Sequence, residues 1–526
     1  MSDTDPAPPT AVGSAAERRV ASAEQPVDAT NSPAPSVDAP SPDSLTAAQR
    51  SAVTALAARF PVADELGRRF ADAGHELYLV GGSVRDALLG RLGTDLDFTT
   101  DARPEQILAL VDGWADATWT TGIEFGTVGA AKAGLQLEIT TYRSDLYDGV
   151  TRNPQVTFGD SLDGDLLRRD FAVNAMALSL PGHEFADPYG GLAQLADEVL
   201  DTPGTPEQSF RDDPLRMMRA ARFASQLGFT VAPRVIEAMT AMSDEIGRIT
   251  AERVQAELTK LICGANPRAG LVLLTDTHLA DHVLPELPAL RLERDEHHQH
   301  KDVYQHTLTV LDQAIAQEED GPDLTLRLAA LLHDIGKPAT RKFEPGGGVS
   351  FHHHEVVGAK MTRKRLRELR YPKHLVDDVA QLVFLHLRFH GYGGGAWTDS
   401  AVRRYVTDAG ELLPRLHKLV RADCTTRNPR RRAALQRSYD SLEQRIAELA
   451  AAEDLARVRP DLDGNAIMEL LGVKPGPVVG RAWKYLKELR LEHGPMDRDA
   501  AEIALLAWAA REGLVDPQTG KPTGRD

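Results

Sequence analysis

At 526 residues with 42% hydrophobic side chains, the chain has room for about two to four domains with sizeable cores. Its two cysteines, Cys263 and Cys424, supply neither a disulfide framework nor a cysteine zinc site, and no apolar run reaches the ~18 residues of a membrane span. A net charge of −17 argues against nonspecific coating of nucleic acid, so an RNA-binding surface must concentrate Lys and Arg locally. With no signal-peptide pattern, the reducing cytoplasm is the expected compartment.

Residues 1–45 hold eight of the 32 prolines and no aromatic, too little apolar surface to repay ordering, and are expected to form a disordered tail. Thr46 to Ala73 predicts a helix that Gly74 ends. Leu77 to Val80 then reads as a buried strand, followed by Gly81 and Gly82, a helix from Ser83 to Leu89, and a second strand carrying Asp95-Leu96-Asp97. Strand side chains alternate, so Asp95 and Asp97 share one face while Leu96 enters the core. Two carboxylates side by side repel each other unless a cation lies between them, and Mg2+ is the natural occupant. The glycines allow backbone N–H groups close to a phosphate, and the following helix adds its positive end. Either feature alone also fits a plain turn or a solvated strand face. Together in one unit they point to phosphoryl or nucleotidyl transfer.

Leu77–Thr100 resembles the head signature of the class II tRNA nucleotidyltransferase and bacterial poly(A) polymerase family, within the polymerase-beta-like superfamily. Pro104 to Asp112 predicts a helix, and 126–129 with Leu135 to Tyr142 predicts a hairpin. Alternation puts Leu135, Leu137 and Ile139 on one face and Glu138 on the other, where it would be a third catalytic carboxylate or an ordinary exposed Glu. Arg143 to Asp165 resembles the family's flexible loop. Arg168-Arg169-Asp170 with Asn174 matches the family's RRDF–N motif, whose guanidinium groups suit a triphosphate. Asp187 to Gly191 resembles the third motif, a turn between head and neck.

From Ser209 the pattern is helical. Asp212-Asp213-Pro214-Leu215-Arg216 matches the motif usually written EDxxR, with Asp212 in place of Glu. Asp213 and Arg216, three apart, are expected on one helix face. A carboxylate only accepts and a guanidinium only donates, whereas cytosine and adenine both present an amino donor beside a ring-nitrogen acceptor. The pair therefore selects C and A together and rejects U and G. In the family these positions are the protein template for CTP and ATP. Gly81, Gly82, Arg85, Asp86, Arg168, Arg169, Asp170, Asn174 and Arg219 are the remaining expected nucleotide-site residues, with Arg85 and Asp86 bracing the cradle.

His306, His333-Asp334, His354, His386 and Asp423 follow in the order H…HD…H…H…D, which resembles the all-helical HD phosphohydrolase superfamily. Imidazole and carboxylate together suit a divalent metal. The sequence leaves open whether this copy is active and which metal it takes. Basic stretches at Arg363 to Lys373 and Arg427 to Arg437 fit either RNA backbone or solvated helix faces. Leu435 to Ala451, Gly464 to Leu471 and Pro477 to Leu491 predict further helices, and the last ten residues a frayed end.

The resemblance implies an α+β fold: a polymerase-beta-like head on a mixed sheet, then an all-helical neck, HD domain and tail. The expected units are a tail at 1–45, head at 46–200, neck at 201–290, HD domain at 291–425 and helical tail at 426–526. It implies addition of CCA to tRNA from CTP and ATP with Mg2+ at Asp95 and Asp97, with an HD phosphohydrolase as a second activity. No membrane or DNA partner is expected, and oligomeric state is left open. The alternatives are a poly(A) polymerase, a CC-only or A-only enzyme, or a protein whose main work is HD-type phosphodiester hydrolysis. The HD domain favours tRNA, since poly(A) polymerases of this fold generally lack it.

Overall fold

Pro61 and Gly74 bracket the first well-defined helix of the head, α1 (Pro61–Asp72). Pro61 sits at its first turn, where a missing N–H costs nothing, and the helix expected to run on from Thr46 is interrupted at Phe60. The computed structural model describes residues 46–515 apart from 48–49, 52–53, 56–59, 92, 144–157, 160, 292–301, 346–347, 390–396, 427 and 454–458. The expected disordered tail (1–45), most of the expected flexible loop (143–165), Arg427 and the expected frayed end lie outside the described residues.

The head is built on a seven-stranded mixed sheet ordered β3-β4-β5-β2-β1-β6-β7. Its strands are β1 (Leu77–Val80), β2 (Asp95–Thr100), β3 (Ala117–Trp119), β4 (Thr127–Lys132), β5 (Leu135–Thr141), β6 (Ala177–Ser179) and β7 (Phe185–Ala186). Helices α2 (Gly82–Leu88) and α3 (Pro104–Val111) complete the signature unit, and α4 (Leu162–Leu167) and α5 (Gly191–Ala196) flank the RRDF–N stretch. β4 and β5 form the expected hairpin, closed by Ala133 and Gly134, both at positive φ, the backbone that a right-twisted two-residue turn demands. β2 is central and pairs in parallel with β5, so Asp97 lies directly opposite Glu138. That register sets the chemistry.

The neck begins with α6 (Pro206–Asp212) and α7 (Leu215–Leu227), against which α8 (Ala251–Ile262) and α9 (Pro267–Asp276) pack. The longer helices that follow are α10 (Val303–Ile315), α11 (Leu324–Leu332), α12 (His354–Glu368), α13 (Lys373–Leu385) and α14 (Asp399–Ala409). The last are α15 (Leu413–Asp423), α16 (Pro429–Ala452), α17 (Gly464–Leu471), α18 (Pro477–His493) and α19 (Arg498–Arg511). One hydrophobic core runs from Phe60 to Leu442, so head, neck and the histidine-bearing helices share their packing. Buried Arg327 on α11 donates to the carbonyls of Ile262 and Gly264 at the end of α8 and pairs with Glu318, fastening neck to HD region. Helix α16 sends Tyr439 and Leu442 into the same core. Helices α17 to α19 close a second, separate core from Leu462 to Val515, and α19 was not expected from the sequence.

Candidate active sites

The head site is a cluster of three carboxylates at the carboxyl side of the signature turn. Asp95 is exposed on β2, Asp97 half-buried two residues on, and Glu138 faces Asp97 across the β2–β5 register. Among the described residues none of the three carboxylates has a hydrogen-bond or ion-pair partner. Burial raises the Asp97 carboxyl, Arg169 opposes that rise and Asp95 adds to it. Burial, then Asp97 and Asp95, raise that of Glu138. Gathered like charges without donors are what a hard oxygen-ligated cation neutralises, and the donor set fits Mg2+.

Gly81, at φ +73°, makes the turn beside them; a Cβ there would lie 3.1 Å from Nη1 of Arg169 and 3.4 Å from Oδ2 of Asp97. The glycine is thus required both for its backbone conformation and for the closeness of cradle, guanidinium and carboxylate.

Asp165, which the sequence reading did not single out, holds the paired arginines. Its two oxygens accept from Nε of Arg168 at 3.1 Å and Nη2 of Arg169 at 3.2 Å, and from Thr99 Oγ1 at 3.1 Å. Burial pushes its carboxyl up, but Arg169 and Arg168 outweigh that and hold it below the usual range. The signal was present as i,i+3 and i,i+4 spacing to Arg168 and Arg169. Asp165→Asn should raise the KM for nucleotide roughly tenfold with a smaller change in kcat, because the guanidinium groups lose their anchor rather than their charge. Steady-state kinetics checks this, and an unchanged KM would remove Asp165 from the site.

Five expected nucleotide contacts turn out to bind one another. Buried Asp170 accepts from the Phe171 N–H and Asn174 Nδ2 on one oxygen and from Arg219 on the other, at 2.6–2.9 Å. Burial raises its carboxyl, yet Arg219 and Asn174 bring it down to about 2. Asn174 Oδ1 in turn accepts from Arg85 Nη1 at 2.5 Å, and Arg85 clasps Asp86 with both Nε and Nη2 at 2.9 Å. The Phe223 ring of α7 lies within 5.1 Å of the Arg85 guanidinium and 4.2 Å of that of Arg222. Asp170 and Asn174 thus join α2 to α7 and hold Arg85 and Arg219 in place, while Asn174 keeps one amide N–H beyond these bonds.

The base-reading pair also differs from expectation. Asp213 is extended (φ −145°, ψ 100°), past the end of α6, and α7 starts only at Leu215, so Asp213 and Arg216 do not share a helix face. Pro214 explains it, since its ring disfavours a helical residue before it. Asp213 instead caps α7 by accepting from the Leu215 N–H and pairs with Arg253 of α8 at 2.8 Å. Arg216 donates to Ser209 Oγ at 2.9 Å and the Arg168 carbonyl at 2.5 Å, which ties α7 to the Arg168–Arg169 stretch.

The second site lies in the HD region. Nε2 of His306 and His333 approach Oδ1 of Asp423 to 3.0 and 3.7 Å, while Nε2 of His354 and His386 approach Oδ1 of Asp334 to 3.3 and 4.0 Å. Two triads result, His306–His333–Asp423 and Asp334–His354–His386. Nδ1 of His333, His354 and His386 each meets a backbone carbonyl three residues back, at 2.6–2.8 Å, fixing the tautomer that leaves Nε2 lone pairs inward. Those three Nε2 atoms are buried and make no hydrogen bond, although those of His333 and His354 lie 3.2 and 3.3 Å from carboxylate oxygens of Asp334. Burial lowers His386 to about 4, keeping it neutral as a ligand must be. The six residues fit two divalent cations. Gly336 lets α12 approach: a Cβ there would lie 2.2 Å from the His354 carbonyl oxygen. A cavity of about 910 Å³ opens over the triads.

The basic stretch at 363–373 is largely consumed by ion pairs. Arg365 binds Glu286 and Glu368, Lys373 binds Asp377, and Arg370 approaches Glu252. Arg430, Arg431 and Arg432, in the second stretch, are exposed at the start of α16.

Comparison with known proteins agrees with this layout. The Poly A polymerase head domain family matches residues 77–201, the family described as probable RNA and SrmB-binding site of polymerase A matches 228–290, and the HD domain family matches 303–450. An A-adding tRNA nucleotidyltransferase from Deinococcus radiodurans is 35% identical over 418 residues, covering 78% of this chain and 91% of its own. The chain belongs to the class II tRNA nucleotidyltransferase and poly(A) polymerase family. Another member, a CCA-adding enzyme from Anoxybacillus flavithermus, is 30% identical over 405 residues, covering 77% and 86%. The crystal structure of the Bacillus stearothermophilus CCA-adding enzyme in complex with CTP superposes with a TM-score of 0.62 at 27% identity, over 86% of this chain and 98% of that one. Head, neck and HD region therefore follow one another as in this family, on the expected α+β architecture.

Proposed function

We propose that the chain adds C, C and A to the 3′ end of tRNA from CTP and ATP without a nucleic-acid template, releasing pyrophosphate. The observation that carries this is the unpartnered cluster of Asp95, Asp97 and Glu138 beside the Gly81 turn, under the Arg169 guanidinium. Asp95 and Asp97, with Glu138 beside them, are the residues to hold Mg2+. Mg2+ held there would supply Lewis acidity toward the 3′-OH and positive charge against the triphosphate. Gly81, Gly82, Arg168 and Arg169 orient the triphosphate, Asp165 fixes the two arginines, and Asp213 with Arg216 reads the base. Catalysis of this kind is mostly positioning and charge stabilisation. Among the described residues no helix is long and apolar enough to cross a membrane, and cytoplasmic tRNA is the proposed substrate pool.

The two most extensive relatives named above differ in what they add, so the decisive assay offers three RNAs: tRNA lacking CCA, tRNA ending in CC, and an unrelated RNA. Labelled CTP and ATP are supplied with Mg2+, and products are sized on a gel. Three additions to the first, one A to the second and none to the third are expected. A alone on the CC end would make this an A-adding enzyme, long A ladders a poly(A) polymerase, and no incorporation would sink the proposal.

The paired HD triads favour a second reading for the same chain, a metal-dependent phosphohydrolase. Its two triads would hold divalent cations, and elemental analysis of purified chain finding none after reconstitution would dismiss it.

A further inference from the structure

The cavity over the HD triads has two unlike walls. Its floor is made of ligand side chains; its outer wall is the loop after Asp423 and the first turn of α16, with Thr425, Thr426 and Arg431. Lys337 also lines it, but its ammonium is 2.6 Å from Asp334 Oδ2 and is committed there. The Arg431 guanidinium makes no hydrogen bond or ion pair among the described residues. Arg431 is exposed, so its guanidinium is hydrated and available, and it lines the cavity whose floor carries the metal-ligand side chains.

We propose that Arg431, with the hydroxyl of Thr426, recognises the phosphoryl group of a nucleotide-sized phosphate ester bound over the HD triads, resting on the phosphohydrolase reading above. Three buried Nε2 atoms that make no hydrogen bond mark the place where the reacting end sits. The N–H groups of Arg430 and Arg431 are already taken by the Asn428 side chain, so the guanidinium, not the helix end, supplies the donors. Five N–H groups in a planar fork match phosphate oxygens, and the Thr426 hydroxyl, which accepts from the Asn428 N–H, has its proton to add, while the Thr425 hydroxyl is held by His306 Nδ1 at 3.1 Å. Size fixes the rest of the ligand. About 910 Å³ lies at the upper end of small-molecule pockets, far beyond a phosphate ion. Leu387, Val420 and Leu435 give the remainder an apolar flank suited to a nucleoside.

The test uses full-length chain reconstituted with a divalent metal, and titration calorimetry with inorganic phosphate, adenosine monophosphate and a 3′-phosphorylated oligoribonucleotide. Arg431→Ala should weaken the ligands that bind by about tenfold or more at unchanged metal content, and Arg431→Lys should restore part of the loss. Arg431 is exposed, so folding is not at issue. Tighter binding of the mononucleotide than of the oligonucleotide identifies free nucleotide as the source, and the reverse order an RNA end. Wild-type affinity in Arg431→Ala overturns the role of Arg431 while leaving the phosphohydrolase reading intact. Metal-loaded wild type that binds none of the three, or a His333→Ala variant that binds them as well as wild type, overturns that reading itself.

Discussion

Replacing Asp95 and Asp97 together with alanine is expected to reduce nucleotide incorporation by at least about 10³-fold, some 4 kcal/mol of transition-state stabilisation. Two of the three carboxylates at the sheet face would be gone, and Glu138 alone does not make a Mg2+ site. The same change should leave the metal-free protein at least as stable as wild type. None of the three has a protein partner among the described residues, so alanine breaks no hydrogen bond or ion pair there. Asp97 and Glu138 have carboxyls raised by burial and by neighbouring carboxylates. A carboxyl raised above its unfolded value costs stability at neutral pH, a cost that fades as pH falls through the folded value. Removing these charges removes that cost. Gel-based incorporation and thermal melts in chelator check both halves. A double variant that keeps a tenth of the activity would end the two-carboxylate account. One that loses activity because it unfolds would instead show that the cluster is structural.

The signature stretch was legible because its evidence is local. A strand's period of two put Asp95 and Asp97 together, and Gly81 stood where a positive φ is needed. Glu138 was harder: alternation gave its face, but only the parallel β2–β5 register brings it to Asp97, and register between distant strands is not written in either one. The HD histidines were legible as a spaced set, though their division into two triads depends on how α10 to α15 pack. Contacts between groups far apart in sequence were missed for the same reason. Nothing near Asp170 says that Arg219, 49 positions on, pairs with it, so its part in holding α7 was not legible. The Asp213 error is different. Pro214 was in plain view and its effect on the preceding residue is local, yet the i,i+3 spacing was read as a continuous helix.

Losing Asp213 is expected to admit UTP. On the proposed reading its carboxylate accepts from the amino group of cytosine or adenine, while Arg216 donates to the adjacent ring nitrogen. Uracil and guanine place a carbonyl oxygen against the carboxylate and leave buried polar groups unpaired, which a site built on hydrogen bonds rejects strongly. In the free protein both side chains have other partners, so binding must exchange them. For Asp213 that exchange is cheap. The Arg253 side chain is half exposed, at 51%, and pairs of that kind are worth roughly 1 kcal/mol or less. The second oxygen still caps α7 through the Leu215 N–H, so alanine would also cost about 0.5–2 kcal/mol of stability. Asp213→Asn separates the two roles. Its carbonyl keeps the cap, and its amide now donates to the uracil or guanine oxygen that the carboxylate repelled. The UTP-to-CTP incorporation ratio should therefore rise by on the order of tenfold in Asp213→Asn, held there because the uracil N3–H still meets the Arg216 guanidinium, donor against donor, with a melting temperature near wild type. Arg216→Ala should lower all four nucleotides together, because its tie to the Arg168 carbonyl also holds the Arg168–Arg169 stretch in place. Single-nucleotide incorporation with each of the four triphosphates reads both effects. An asparagine variant that still refuses UTP and GTP as firmly as the wild type would mean that the base is chosen by something other than this pair.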